Sequence, residues 1–208
     1  GGTNTVIDSN LISGNTGNGI LLQDGEGTQV ISNSIGTDVD ETGNLGNTSS
    51  GVFISNSNNT TVGGNGVENA IAFNNDDGVT VLTGTGNAIL DNSIFDNENL
   101  GIDLDGDGGE VDNDGVTPND GEDEDTGGNN LQNYPILNAA IPGTADATIS
   151  GTLNSTPNTA FTVQFFSNQA LDPSGFGEGQ TFLGQATVTT DAAGNVTFSE
   201  TLPVILTG

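Results

Sequence analysis

The sequence predicts an all-β chain, in which a parallel β-helix of about four coils precedes an incomplete antiparallel β-sandwich. Three observations support this fold class: a motif repeated four times, short aliphatic runs bounded by Asn and Gly, and plain apolar–polar alternation near the carboxyl end. Repeats with a period of about 20 to 50 residues are typical of solenoids rather than of compact globules. We therefore expect each copy of the motif to form one coil.

The repeated motif is an Asn, three residues, a Gly, a β-branched residue, a spacer and an aliphatic residue. Its copies are Asn15-x-x-x-Gly19-Ile20-x-Leu22, Asn47-x-x-x-Gly51-Val52-x-Ile54, Asn74-x-x-x-Gly78-Val79-x-Val81 and Asn97-x-x-x-Gly101-Ile102-x-Leu104. A shorter phrase, Asn-x-Ile, precedes each copy and begins at Asn10, Asn33, Asn69 and Asn92. Asparagines at equivalent corners can stack into ladders that satisfy one another and the backbone, so we predict a structural role for them.

The aliphatic residues stand two apart in runs that are too short for helices. Asn and Gly bound these runs, and both tolerate the left-handed backbone of a sharp corner. Each repeat supplies about three runs, which predicts a triangular coil. The residues predicted to face its interior are Ile7, Ile12, Ile20, Leu22, Val52, Ile54, Ile71, Val79, Val81, Ile89, Ile94, Ile102 and Leu104.

Three regions follow from the composition along the chain. We assign the β-helix to residues 1–104, an acidic Gly- and Asp-rich linker to 105–143, and the sandwich to 144–208. In the last region apolar residues alternate, and the Asp191–Gly194 turn is predicted to close a hairpin between Val188 and Val196. About four or five strands fit here, fewer than the seven of an immunoglobulin-type domain, so the sandwich is predicted to be incomplete.

Charge and composition exclude several classes of function. The 208 residues contain no Lys, Arg, His, Cys, Met or Trp, and 28 acids give a formal net charge of −28. Such a chain offers no basic groove for nucleic acid and is repelled by anionic membranes. No apolar run is long enough for membrane insertion. Nucleophilic catalysis of the Ser-His or Cys-His kind is excluded because both His and Cys are missing.

Several phrases resemble a known family. They are Asn33-Ser-Ile-Gly-Thr-Asp38, Val62-Gly-Gly64, Asn92-Ser-Ile-Phe-Asp-Asn97, Leu100-Gly-Ile-Asp-Leu104, Asn129-Asn-Leu-Gln-Asn-Tyr-Pro-Ile-Leu137 and Ile149-Ser-Gly-Thr-Leu-Asn-Ser-Thr-Pro-Asn158. In this order they are similar to bacterial right-handed parallel β-helix repeat proteins of the pectate-lyase-like superfamily, in which an Ig-like module follows the β-helix. The resemblance implies an extracellular or cell-surface location.

The resemblance argues against catalysis in this chain. Lyases of this fold use Ca²⁺ with a Lys or Arg base, and the related hydrolases use carboxylates together with His, Arg and Lys. Only the carboxylates are present here, and the adjacent pair Asp76 and Asp77 is the one candidate. We interpret this pair as a solvated turn and predict that the chain is not an enzyme.

A metal site is the one chemical site that the sequence predicts. The ligand positions Asp103, Asp105, Asp107 and Asp114, with Gly108 at the turn, match a twelve-residue calcium loop in which Asp replaces the final Glu. This spacing predicts a structural Ca²⁺ that orders the linker. A second acidic group, Asp120, Glu122, Asp123, Glu124 and Asp125, has no recognisable spacing. The alternative for both is a hydrated acidic linker.

The sequence leaves three functions open. The first is an extracellular structural or adhesive module, including a subunit of a filament or surface layer. The second is a carbohydrate-binding module or a carboxylate-only glycosidase, for which polysaccharide would be the partner. The third is a passive spacer in a large surface protein. For the first, we expect self-association, head to tail, or contact with neighbouring domains of the same chain.

Overall fold

The chain forms two compact units in a computed structural model, which describes residues 2–106 and 115–203. One unit comprises Gly1–Thr117, Thr126–Leu131 and Ser167–Phe182. The other comprises Pro118–Asp125, Gln132–Phe166 and Leu183–Gly208. The division predicted from sequence, 1–104, 105–143 and 144–208, stays a prediction about domains.

The first unit is a parallel β-helix. Its strands are, coil by coil, β1 (Val6–Asp8), β2 (Leu11–Ile12) and β3 (Ile20–Gln23); β4 (Gln29–Ile31), β5 (Ser34–Ile35) and β6 (Val52–Ser55); β7 (Thr61–Gly63), β8 (Ala70–Ala72) and β9 (Val79–Val81); and β10 (Ala88–Leu90), β11 (Ser93–Phe95) and β12 (Ile102–Leu104). They stack into three parallel sheets, ordered β1-β4-β7-β10, β2-β5-β8-β11 and β3-β6-β9-β12. The prediction of a triangular β-helix with about four coils is confirmed.

The register of the sheets lines up the aliphatic residues of successive coils. Ile35 pairs with Ile71 and Ile71 with Ile94, for example, and all three are buried. The core consists of Ile20, Leu22, Val30, Ile35, Val52, Ile54, Val62, Ile71, Val79, Val81 and Ile94, with Ile7, Ile12, Ile89 and Leu104 packed against it. Ile102 was also predicted to be internal but is 42% exposed, because β12 is the edge strand of its sheet.

Residues with a left-handed backbone turn the chain at the corners, but the prediction that the repeated Asn and Gly adopt this backbone is wrong, because neither Asn10 and Gly19 nor their counterparts in the other coils have positive φ. Ser9, Ser32 and Asp91 have positive φ and immediately precede the corner residues Asn10, Asn33 and Asn92, respectively. Phe73 is the unusual case, since a bulky side chain rarely adopts its φ of 63°. Its ring packs edge-on against Phe95, with ring centroids 5.7 Å apart.

The second unit contains antiparallel strands that enclose a separate core. β13 (Ile136–Pro142), β14 (Asp146–Asn154) and β17 (Asn195–Pro203) form one sheet, and β15 (Ala160–Ser167) and β16 (Thr181–Thr189) form another. Their core residues are Ile149, Leu153, Val163, Phe165, Val188, Phe198 and Leu202. The antiparallel architecture is confirmed, whereas the Ig-like identity of the module stays a prediction.

Two details differ from the predicted structure. β13 lies within the stretch predicted to be linker. The turn at Asp191 does form, since its carbonyl accepts the Gly194 N–H at 3.1 Å. The hairpin prediction is nevertheless wrong, because β16 and β17 enter different sheets and β17 pairs with β14. Alternation marks a strand but does not identify its partner.

Candidate functional site

Two ladders of asparagine side chains run along the solenoid. One contains Asn10, Asn33, Asn69 and Asn92; the other contains Asn15, Asn47, Asn74 and Asn97. In each ladder the backbone N–H and the Nδ2 group of one Asn donate to the Oδ1 atom of the Asn in the next coil, as from Asn69 to Asn92 at 3.0 and 2.8 Å. The Nδ2 group of Asn69 also donates to the Val30 carbonyl at 2.8 Å. The ladders therefore satisfy buried backbone at the corners, and the predicted structural role is confirmed.

Glu178 continues the second ladder beyond the last coil. The Asn97 N–H donates to its Oε1 and Oε2 atoms at 3.1 and 3.2 Å, and the Asn97 Nδ2 group donates to Oε2 at 2.7 Å. The backbone of Glu178 also takes the place of a further coil. A Cβ at Gly78 would lie 2.6 Å from the Gly101 carbonyl oxygen, and one at Gly101 would lie 2.7 Å from that of Glu178. No sequence pattern indicates Glu178, which lies 81 residues from Asn97 and outside the repeats.

The Glu178 carboxyl lies in an acidic cavity of about 430 Å³. Asp96, Glu98 and Asp172 line the cavity with it, together with amide side chains and Phe95. Burial raises the pKa of Glu178 to about 7, against the effect of the hydrogen bonds from Asn97, and the charges of Asp172 and Asp96 raise it further. The chain has no Lys, Arg or His that could balance a negative charge here.

The adjacent carboxylates Asp76 and Asp77 link neighbouring coils. Asp77 is only 1% exposed; its Oδ1 accepts the Leu100 N–H and its Oδ2 accepts the Thr80 hydroxyl, both at 2.9 Å. Asp76 accepts from Asn99 Nδ2 at 2.7 Å and from the Ser50 hydroxyl at 3.3 Å. The interpretation as a solvated turn is wrong for Asp77, because its carboxylate is buried and accepts a backbone N–H from the next coil.

The predicted metal ligands divide between described and undescribed residues. Asp103 lies inside β12, where it pairs in register with Thr80 and is 2% exposed. Asp105 directly follows β12 and is 1% exposed; its N–H donates to Val81 and its carbonyl accepts from Gly128. Asp107 and Asp114 lie outside the described residues. The structure therefore leaves the set of four ligands untested.

Three members of the second acidic group lie together. Carboxylate oxygens of Asp120, Asp123 and Asp125 are within 4.8 Å of one another, whereas Glu122 and Glu124 are exposed. Burial raises the pKa of Asp125, and the charges of Asp120 and Asp123 act in the same direction. Hydrogen bonds within the unit fix the cluster, since Asp123 accepts from the Asn133 N–H at 2.7 Å and the Ser155 hydroxyl at 2.9 Å.

The fold and the ladders define a parallel β-helix protein whose coils are joined by stacked amides. Residues 1–103 match the model of a family described as "Periplasmic copper-binding protein (NosD)". The match ends within β12 and so covers the solenoid strands. No curated protein matches the sequence. In residues 2–106 and 115–203, no helix is long and apolar enough to cross a membrane.

These findings correct the predicted cofactor. The prediction of a structural Ca²⁺ is wrong, because the matching family is described as copper-binding. The first predicted ligand, Asp103, also belongs to a strand rather than to a loop that could wrap around an ion.

Copper does not fit the residues of this chain either. Protein copper sites draw on His, Cys and Met side chains, and the sequence contains none of the three. The remaining donors are oxygen atoms and amides, and many of the amides are engaged in the ladders. The copper-binding description therefore has no ligand set in these residues to rest on.

Proposed function

We propose that this chain is a non-catalytic structural module of an exported protein, and that its stiff acidic solenoid is the functional part. The observation that carries this proposal is the use of the repeated polar residues. The asparagines that recur in every coil bond to one another and to the backbone. Asp76 and Asp77 are engaged in the same way. The recurring polar side chains thus maintain the solenoid rather than present a reactive group.

A location outside the cytoplasm is part of this proposal. The description of the matching family as periplasmic supports it. The resemblance to secreted and surface β-helix chains points in the same direction, toward an extracellular or cell-surface position. Fractionation of the source cells with an antibody against the chain tests this point, and recovery in the cytoplasmic fraction alone would contradict it.

The proposed partners are other copies of the chain or neighbouring domains, in an adhesive or filamentous assembly. A formal charge of −28 opposes contact between copies, so association should strengthen as salt screens the charges. We expect sedimentation velocity to show monomers at low ionic strength and larger species at high ionic strength. Monomers at every ionic strength would contradict the proposed self-association and favour the function of a passive spacer.

The carbohydrate-binding alternative receives little support from the third sheet of the solenoid. A sugar-binding face would be expected to carry a row of exposed aromatic side chains. On the third sheet the register aligns Leu21, Phe53, Thr80 and Asp103, which alternate with the core positions. Only one residue of this row is aromatic, so we favour the structural function.

An assay for polysaccharide cleavage tests the non-catalytic part of the proposal. The purified chain should release neither reducing ends nor unsaturated products from a panel of neutral and acidic polysaccharides. A turnover that disappears in both Asp76→Asn and Asp77→Asn would overturn it. Asp191→Asn is the matched control, because Asp191 lies in a turn of the other unit.

The chain should also fail to bind Cu(I) stoichiometrically. The physical reason is the absence of imidazole, thiolate and thioether ligands from the sequence. Competition with a chromogenic Cu(I) chelator measures this, and the same chain carrying a cleavable hexahistidine tag provides the positive control. One-to-one binding by the untagged chain would show that the argument from ligand types is wrong.

A further inference from the structure

We propose that the segment Ser167–Phe182 is a pH-sensitive cap on the end of the solenoid, closed when the Glu178 carboxyl is neutral and loosened when it is ionised. This segment connects β15 to β16 along the chain and belongs to the same compact unit as the coils. It carries no repeat motif of its own.

The cap completes the last coil by imitating the one that would follow. Its backbone contacts the edge strand β11: the Gly179 carbonyl accepts the Ile94 N–H at 3.2 Å, and the Gln180 carbonyl accepts the Ser93 hydroxyl at 2.8 Å. Glu178 accepts from Asn97 in the way that Asn97 accepts from Asn74. An edge strand whose hydrogen-bonding groups face outward can pair with other chains, and the cap covers part of this edge.

The hydrogen bonds around Glu178 can be kept in large part by a neutral carboxyl. Its Oε2 atom accepts both the Nδ2 group and the N–H of Asn97, at 2.7 and 3.2 Å. The Asn97 N–H is shared with Oε1 at 3.1 Å, so a proton on Oε1 weakens that contact while Oε2 keeps both of its hydrogen bonds. In this state the carboxyl has the role that a neutral amide has at each of the preceding rungs of the ladder.

The ionised carboxylate is at a disadvantage in the same place. Asp96 and Glu98 face it from the last coil, and Asp172 faces it from the cap itself. No basic side chain exists anywhere in the sequence to pair with it. A partly buried carboxylate among like charges is destabilised relative to its neutral form.

The direction of the pH effect follows from the native and unfolded pKa values. The pKa of Glu178 rises from 4.5 to about 7 on folding. The stabilisation is therefore complete below about 4.5 and is lost as the pH increases through about 7. Asp38 and Asp191 have lowered pKa values, because backbone N–H groups donate to their carboxylates. Their effects on stability have the opposite sign and occur at pH values below the usual Asp pKa range. They therefore do not overlap with the effect of Glu178.

Hydrogen bonds within the cap join its two ends. The Asn168 Oδ1 atom accepts from the N–H groups of Gly179 and Gln180, both at 3.0 Å. The Gln180 Oε1 atom accepts the Gln169 N–H at 3.2 Å. We therefore expect the cap to loosen as one piece.

Hydrogen exchange of the full chain tests the proposal. After correction for the intrinsic exchange rate, the amides of Ile94 and Asn97 should be about tenfold less protected at pH 8 than at pH 6, following the neutral fraction of a group with a pKa near 7. Glu178→Gln keeps a neutral side chain of the same shape, so its protection at these amides should not change over this range. Asp172→Asn should shift the wild-type transition to lower pH, because it removes a like charge.

Three results would overturn the proposal. The first is a pH profile in Glu178→Gln that matches the wild type, which would assign the transition to another group. The second is constant protection in the wild type between pH 6 and 8. The third is an equal loss of protection at core amides such as Val52 and Ile71, which would indicate loosening of the whole solenoid. Glu178→Ala should expose Ile94 and Asn97 at both pH values; if that variant does not fold, the comparison with Gln still decides.

Discussion

Replacement of Asn69 by Ala should lower the free energy of unfolding of the solenoid by about 4 kcal/mol. Its Oδ1 atom accepts the N–H and the Nδ2 group of Asn33 at 2.9 and 3.0 Å. Its Nδ2 group donates to the Val30 carbonyl and to Asn92 Oδ1, both at 2.8 Å. Each buried group left without a partner costs roughly 1–3 kcal/mol, and local relaxation recovers part of the total.

The matched control is Asn10→Ala at the exposed first rung of the same ladder. Asn10 donates to Asn33 Oδ1 and to the Asp8 carbonyl without being buried, so its loss should cost less than about 1 kcal/mol. Urea unfolding followed by circular dichroism and by exchange of the core amides measures both variants. Equal losses at Asn69 and Asn10 would show that the ladder does not stabilise the coils.

Replacement of Gly51 by Ala should lower the free energy of unfolding by about 3 kcal/mol. A Cβ at this position would lie 2.6 Å from Ile71 Cγ2, 2.7 Å from the Gly78 carbonyl oxygen and 2.8 Å from Asn74 Nδ2. Two stacked coils would have to move apart, and such overpacking typically costs about 1–3 kcal/mol or slightly more. The same contacts recur at Gly19 and Gly78, which explains why glycine is part of every repeat.

Gly17→Ala is the control for this prediction. A Cβ there meets no atom within 4 Å, and the φ angle of Gly17 is not positive. The substitution should be neutral or slightly stabilising, because Ala restricts the unfolded chain. A loss at Gly17 as large as that at Gly51 would refute the packing explanation and attribute the effect to the general loss of a glycine.

The repeats allowed the solenoid to be predicted because one pattern encodes both its core and its corners. The alternate residues Ile20 and Leu22 identify an inward face, and Asn15 and Gly19 mark the neighbouring corner. Partner choice in the second unit could not be predicted in this way, because alternation is the same for a strand whichever sheet it joins. The misassigned hairpin between β16 and β17 follows from this ambiguity.

The calcium prediction failed for a related reason. Acids two residues apart, such as Asp103 and Asp105, have the spacing of calcium-loop ligands and equally that of residues on one face of a strand. The sequence alone does not separate the two arrangements. Glu178 could not be found from the sequence because its contact with Asn97 joins a repeat to a segment without one.

The direction of donation in the ladders gives the solenoid an intrinsic polarity. Every rung gives N–H groups toward the carboxyl-terminal coil, so that end of a ladder presents donors only. The group that follows Asn97 in the second ladder must therefore be an acceptor, and it is Glu178. A separate row has the same direction, since Asn87 accepts the Thr60 N–H and donates its own N–H to Asn129 Oδ1. A lysine or arginine side chain could not accept these hydrogen bonds, because Lys and Arg offer only donors. At this end of the solenoid, the absence of Lys and Arg therefore removes no usable hydrogen-bond partner.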